Sequence, residues 1–91
     1  MGYFSPLMFG MSMISSTQIK AARSLLGINS KELSELTEVS WTTIRRFEEA
    51  PGIPPSRSGN LEKVKTALEE RGVVFLGDPI ESPGVQLVKI N

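Results

Sequence analysis

Apolar residues recur every three or four positions in the middle of the chain, and this spacing predicts two short helices. They cover residues 31–36 and 41–49. Ser30 and Ser40 precede them as predicted N-caps, because a serine hydroxyl can accept from the free N–H groups of a first helical turn. The predicted inward-facing residues are Leu33, Leu36, Val39, Ile44 and Phe47. The pattern therefore predicts a helix-turn-helix over residues 30–49.

Helical spacing also occurs on both sides of this pair. Thr17 is the predicted N-cap of a first helix, which ends at Gly27 because glycine readily adopts the left-handed conformation of a helix C-terminus. Prolines exclude a helix over residues 51–55. A fourth helix is predicted over residues 61–71. The fold class is therefore mainly α, with four helices.

The end of the chain has a different pattern. Residues 73–76 and 85–90 are rich in β-branched side chains, which predicts two strands joined as a β-hairpin. A lone hairpin is marginally stable, so it needs to pack on the helices or pair with a second subunit, and we expect the second arrangement. Three regions follow: an extension at 1–16, the helical domain at 17–72, and the hairpin at 73–91, a candidate dimerisation element.

The extension, residues 1–16, is apolar and rich in methionine. It lacks the basic start of a signal peptide and is too short to span a bilayer. Two interpretations remain open, a disordered or loosely docked extension and an apolar contact with a partner.

The composition limits the kinds of functional site that the chain can form. With 91 residues the chain forms one small domain, and dimerisation would increase the surface that it buries. It has no cysteine and no histidine, which excludes a zinc site, a thiol nucleophile and a Ser-His-Asp arrangement. We therefore expect neither an enzyme nor a cofactor or metal. The net charge of zero argues against a generally basic, non-specific nucleic-acid binder.

The candidate functional side chains lie on the outward face of the second helix of the motif. Burial of Ile44 and Phe47 leaves four residues facing out, namely Trp41, Thr42, Arg45 and Arg46. An arginine can bind guanine with two parallel hydrogen bonds, and a threonine hydroxyl can donate to or accept from a base. The helix over residues 41–48 is therefore the predicted reader of base edges in the major groove.

The motif resembles the helix-turn-helix of the Xre/Cro repressor family. The matching residues are Ser30, Leu33, Val39, Ser40, Thr43, Ile44 and Glu48. The departures are Lys31, Ser34 and Glu38, where the family usually has Gln, Ala and Gly. The resemblance extends over residues 14–76 and is typical of small stand-alone members of the family.

The resemblance implies a lambda-repressor-like fold and a cytoplasmic, sequence-specific DNA-binding transcriptional regulator, most simply a repressor. Its partners would be double-stranded DNA and a second copy of the chain. In this family the position of Lys31 and the loop that contains Arg57 lie beside DNA phosphates. Together with Ser40, at the positive end of a helix dipole, these residues are the expected phosphate contacts.

A second interpretation comes from another functional class. The same fold can serve as a protein-interaction module, such as an antitoxin-like or adaptor subunit. The apolar start of the chain and the acidity of the motif favour it, because residues 30–49 contain three basic and five acidic side chains.

Overall fold

The computed structural model of the protein describes residues 13–56 and 59–88. The elements in chain order are α1 (Ser16–Leu26), α2 (Ser30–Thr37), α3 (Trp41–Glu49), α4 (Asn60–Glu70), β1 (Val73–Leu76) and β2 (Gly84–Leu87). The prediction of four helices followed by an antiparallel strand pair is confirmed for the described residues.

The first helix begins earlier than predicted. Its N-cap is Ser15, whose hydroxyl accepts from the backbone N–H of Gln18 at 3.2 Å, while the Gln18 side chain accepts from the Ser15 N–H at 3.1 Å. The prediction of Thr17 as N-cap is therefore wrong, because this reciprocal pair of bonds satisfies two free donors where a single threonine would satisfy one. The helix ends, as predicted, at Gly27 in the left-handed conformation.

A second reciprocal pair of hydrogen bonds moves the start of α2 away from the predicted position. Asn29 is its N-cap and exchanges hydrogen bonds with Glu32, so Ser30, the predicted cap, is the first helical residue. At α3 the prediction is confirmed, since the Ser40 hydroxyl accepts from the Thr43 N–H.

The core lies between the helices and the inner face of the hairpin. Its buried apolar residues are Ile14, Ile19, Ala22, Leu33, Val39, Ile44, Phe47, Leu61, Val64, Leu68 and Val73. Four of the five predicted inward residues of the motif are among them, and the fifth, Leu36, is partly buried. Ile14 is 1% exposed, so the folded unit includes part of the segment that the sequence pattern assigned to the extension. Residues 1–12 lie outside the described ranges.

The hairpin pairs Val73 with Leu87 and Leu76 with Gly84. The bounds of β1 match the prediction. The second strand begins at Gly84, one residue earlier than predicted, and ends at Leu87, while the final predicted positions, 89 and 90, lie outside the described residues.

The loop between the strands is organised by Asp78. Its carboxylate accepts from the backbone N–H groups of Glu81 at 2.7 Å and Ile80 at 2.9 Å. These two bonds lower the pKa of Asp78 below its ordinary value, because they favour the ionised carboxylate. The bond from Glu81 has the larger effect.

Gln18 fastens the hairpin to α1. Its side-chain amide donates to the carbonyl oxygens of Leu76 at 3.2 Å and Gly84 at 3.0 Å, where the two strands meet their loop. With the bond that the Gln18 oxygen accepts from Ser15, both N–H donors and the carbonyl oxygen of this buried amide have a partner. The hairpin therefore packs on the helices of its own chain, which is the first of the two arrangements considered from the sequence.

No helix within the described residues is long and apolar enough to cross a membrane.

Candidate nucleic-acid interface

The turn between α2 and α3 is tight because Glu38 adopts the left-handed conformation, with φ 62° and ψ 24°. Among the described residues it is the one non-glycine residue with positive φ. The Thr37 hydroxyl donates to the carbonyl of Leu33 at 2.9 Å and accepts from the N–H of Val39 at 3.3 Å. Val39 itself is buried and fills the angle between the helices. The sequence departs from glycine at position 38, yet the backbone makes the turn.

The orientation of α3 follows from its two buried side chains, Ile44 and Phe47. The other face is exposed, and Trp41, Thr42, Arg45 and Arg46 line a single shallow depression on it together with Glu49. The structure therefore brings together all four residues that the sequence pattern predicted as base readers.

Trp41 and Arg45 form an ordered pair within this surface. The indole N–H of Trp41 donates to the Ser30 hydroxyl oxygen at 3.1 Å. The guanidinium carbon of Arg45 lies 5.5 Å from the centre of the indole ring, and Arg45 Nη2 lies 3.4 Å from a carboxylate oxygen of Glu49. A cation at this distance is attracted to the aromatic face. Sequence reasoning placed Trp41 and Arg45 on one face but did not find Ser30 and Glu49 as their partners.

Arg46 differs from Arg45 in its surroundings. It is exposed and forms no salt bridge with any residue that the structure describes. All of the guanidinium donors of Arg46 can therefore be directed to an external anion or base, whereas Arg45 has one nitrogen in contact with Glu49.

Two of the three expected phosphate contacts, Lys31 and Ser40, lie within the described residues. Lys31 is exposed in the first turn of α2. The Ser40 hydroxyl is exposed, and it both accepts from the Thr43 N–H and donates to the Thr43 hydroxyl at 2.9 Å. Ser40 thus holds the start of α3 in place, and its hydroxyl has an internal partner that a phosphate would have to replace. Arg57 lies outside the described residues.

A salt bridge anchors α3 to α1. Arg23 Nε and Nη2 donate to the two carboxylate oxygens of Glu48 at 2.9 and 3.2 Å, and Nη1 donates to the carbonyl of Ile28 at 3.3 Å. Both side chains are largely covered, so this two-point bond is stronger than an ordinary surface pair. Arg23 therefore positions the exposed helix.

The acidic side chains of the motif are mostly engaged. Glu32 is used in the capping of α2, Glu48 binds Arg23, and Glu49 binds Arg45. The excess of acid in the motif is therefore only partly presented to a ligand. Within residues 13–56 and 59–88, no group of three or more acidic, histidine or cysteine side chains is placed to hold a metal ion.

Comparison of the chain with protein-family models, with curated proteins and with solved structures found no match in any of the three. Function is therefore inferred from the geometry of α3, the turn before it and the surfaces beside it.

Proposed function

We propose that the protein is a sequence-specific DNA-binding transcriptional regulator of the Xre/Cro type, with a lambda-repressor-like fold and a cytoplasmic location. The supporting observation is the exposed surface at the start of α3, which follows a left-handed turn and carries an aromatic ring, a hydroxyl and two guanidinium groups. A helix presented in this way enters the major groove with its first residues against base edges. Occupying a promoter site excludes other proteins from it, so repression is the simplest regulatory outcome.

Each side chain has a distinct role in this proposal. Arg46 and Arg45 bind guanine through their paired N–H groups, and Thr42 binds a neighbouring base through its hydroxyl. Lys31 and Arg57 bind phosphates, which positions α3 without reading sequence. Ser40 contributes through the backbone N–H groups at the start of α3, which attract anions.

A homodimer completes the proposal, with the outer face of the hairpin as its interface. Val74 and Leu76 are exposed on this face, and Val88 is exposed just after β2. Neither described strand carries a charged side chain, and the buried centre of a protein interface is likewise depleted of charged residues. Two copies related by a two-fold axis would read a pseudo-palindrome whose half-sites lie about one helical turn, roughly 10 base pairs, apart.

Selection from a random DNA library at low salt, read by sequencing, tests the proposal. Enrichment of a pseudo-palindrome is the expected result. Arg46→Ala should then weaken binding to that site by about 1–3 kcal/mol. Lys63→Ala is the matched control, because Lys63 is exposed on α4 and its loss removes the same charge away from α3. Equal affinities for both variants would remove α3 as the reading helix.

A protein-interaction module remains the second candidate, and the exposed Val74, Leu76 and Val88 favour it. In that case another protein covers the outer face of the hairpin. Ionic strength separates the two candidates. DNA affinity falls steeply as salt displaces the protein from the phosphates, whereas an apolar interface is insensitive to salt.

A further inference from the structure

The exposed part of Trp41 offers a ligand a carbon surface. Its N–H group is bound to Ser30, and yet 47% of the residue remains exposed. The apolar group on the edge of a base pair in the major groove is the C5-methyl group of thymine, which a methylated cytosine also carries. The ring therefore fits a pyrimidine methyl group and not a hydrogen-bonding edge.

Arg45 supplies a polar group beside that ring. Glu49 contacts Nη2 alone, at 3.4 Å, whereas a guanidinium has five N–H donors in a rigid plane. The remaining donors can form the two parallel bonds that guanine O6 and N7 accept. The contact with Glu49 and the attraction to the indole face keep the guanidinium beside Trp41.

The separation of the two groups selects a dinucleotide. Neighbouring base pairs are stacked about 3.4 Å apart and are also offset sideways by the helical twist, so a distance of 5.5 Å between the Arg45 guanidinium and the Trp41 ring centre matches groups on adjacent base pairs. When an arginine binds guanine in its plane, the methyl group of the pyrimidine on the 5′ side lies beside the guanidinium. A methyl-bearing pyrimidine followed by guanine satisfies both side chains at once.

We infer that Trp41 and Arg45 act as one reader of a C5-methylated pyrimidine followed by guanine, the step 5′-TG-3′ in unmodified DNA. This inference rests on the proposed function, which names a reading helix but no sequence. Glu49 and Ser30 are positioning residues for the pair. Thymine and 5-methylcytosine supply the same methyl group, and the experiment has an arm for each.

The experiment uses the full chain and the operator obtained by library selection. In one arm, the thymine of each TG step is replaced by deoxyuridine, which removes the methyl group and leaves base pairing unchanged. In the other arm, cytosine is compared with 5-methylcytosine at that position, each opposite guanine. Fluorescence anisotropy at one fixed salt concentration measures the dissociation constants. In each arm the methylated duplex should bind about four-fold more tightly per step, which corresponds to one buried methyl group of about 0.8 kcal/mol.

Variants identify the residue that senses the methyl group. Trp41→Ala should abolish the difference between thymine and deoxyuridine, while Trp41→Phe, which keeps an apolar ring, should retain part of it. Thr42→Ala is the matched control, because it should weaken binding and leave the methyl preference intact. Circular dichroism checks that each variant is folded, and the comparison of duplexes with the unaltered chain needs no variant.

The outcomes separate this inference from the proposed function. An enriched operator without a TG step, or equal affinity for thymine and deoxyuridine duplexes, overturns the inference and leaves the proposed function standing. A library that yields no enriched sequence with folded protein overturns both.

Discussion

Replacing Gln18 by methionine tests whether one buried amide joins the hairpin to the helical domain. Gln18 is 2% exposed. Its side chain donates to the carbonyls of Leu76 and Gly84 and accepts from the N–H of Ser15. Methionine has a similar length and volume, so the substitution removes the three hydrogen bonds and leaves only a small change in packing.

The expected loss follows from those three bonds. A typical hydrogen bond contributes about 1 kcal/mol net, and a buried group left without a partner costs about 1–3 kcal/mol. Because the two carbonyls are only partly buried, we take the lower end and expect the free energy of unfolding to fall by about 3 kcal/mol. A domain of this size has roughly 5–10 kcal/mol in total. Because each kcal/mol lost lowers its melting temperature by about 4–8 °C, the melting temperature should fall by about 12–24 °C.

Urea denaturation followed by circular dichroism measures the change, and amide hydrogen exchange locates it. Amides of the hairpin should exchange faster relative to those of α3, because the hairpin loses its hydrogen bonds to α1 while α3 keeps its salt bridge to that helix. Thr17→Met is the control, since Thr17 is the exposed neighbour on the same helix. A free energy of unfolding within about 0.5 kcal/mol of the unaltered protein would refute the role assigned to Gln18.

Three further changes test other local features. Glu48→Gln should lower the free energy of unfolding by about 1–2 kcal/mol, measured by urea denaturation, because it removes the ionic part of the largely covered bond to Arg23; no loss would show that this pair does not anchor α3. Glu38→Gly should raise it by about 0.5–1 kcal/mol, because glycine adopts positive φ without strain; a decrease would mean that the Glu38 side chain stabilises the turn. The loop contribution of Asp78 should be complete above its unfolded pKa of 3.8 and be lost as the pH falls through its lower folded pKa. NMR shifts of the two amides that bind its carboxylate report this loss, and a midpoint above 3.8 would contradict it.

Much of the secondary structure could be predicted because its causes are local. The spacing of Leu33, Val39, Ile44 and Phe47 determined which faces of α2 and α3 are buried, and hence which residues are exposed. The β-branched composition predicted β1 with its observed bounds. The exposed face of α3 could be deduced by elimination, because a short helix that buries two residues on one side presents its opposite side to solvent.

The sequence contains a signal for the observed N-caps of α1 and α2, which the predictions of Thr17 and Ser30 missed. Ser15 with Gln18, and Asn29 with Glu32, each show a cap residue followed three positions later by a side chain that can return the hydrogen bond. The two residues of each pair together mark the start of their helix, which Thr17 or Ser30 taken singly does not.

The tertiary structure alone decided how these elements are joined. Gln18 meets carbonyls 58 and 66 positions away, and Arg23 meets Glu48 25 positions away. No periodicity marks such pairs, because their partners are set by the packing of one element against another. By itself, the sequence determined the helices, their buried faces and the exposure of the four predicted base readers on α3. Only the packed chain determined that Gln18 attaches the hairpin, that Arg23 anchors α3, and that Ser30 and Glu49 orient Trp41 and Arg45.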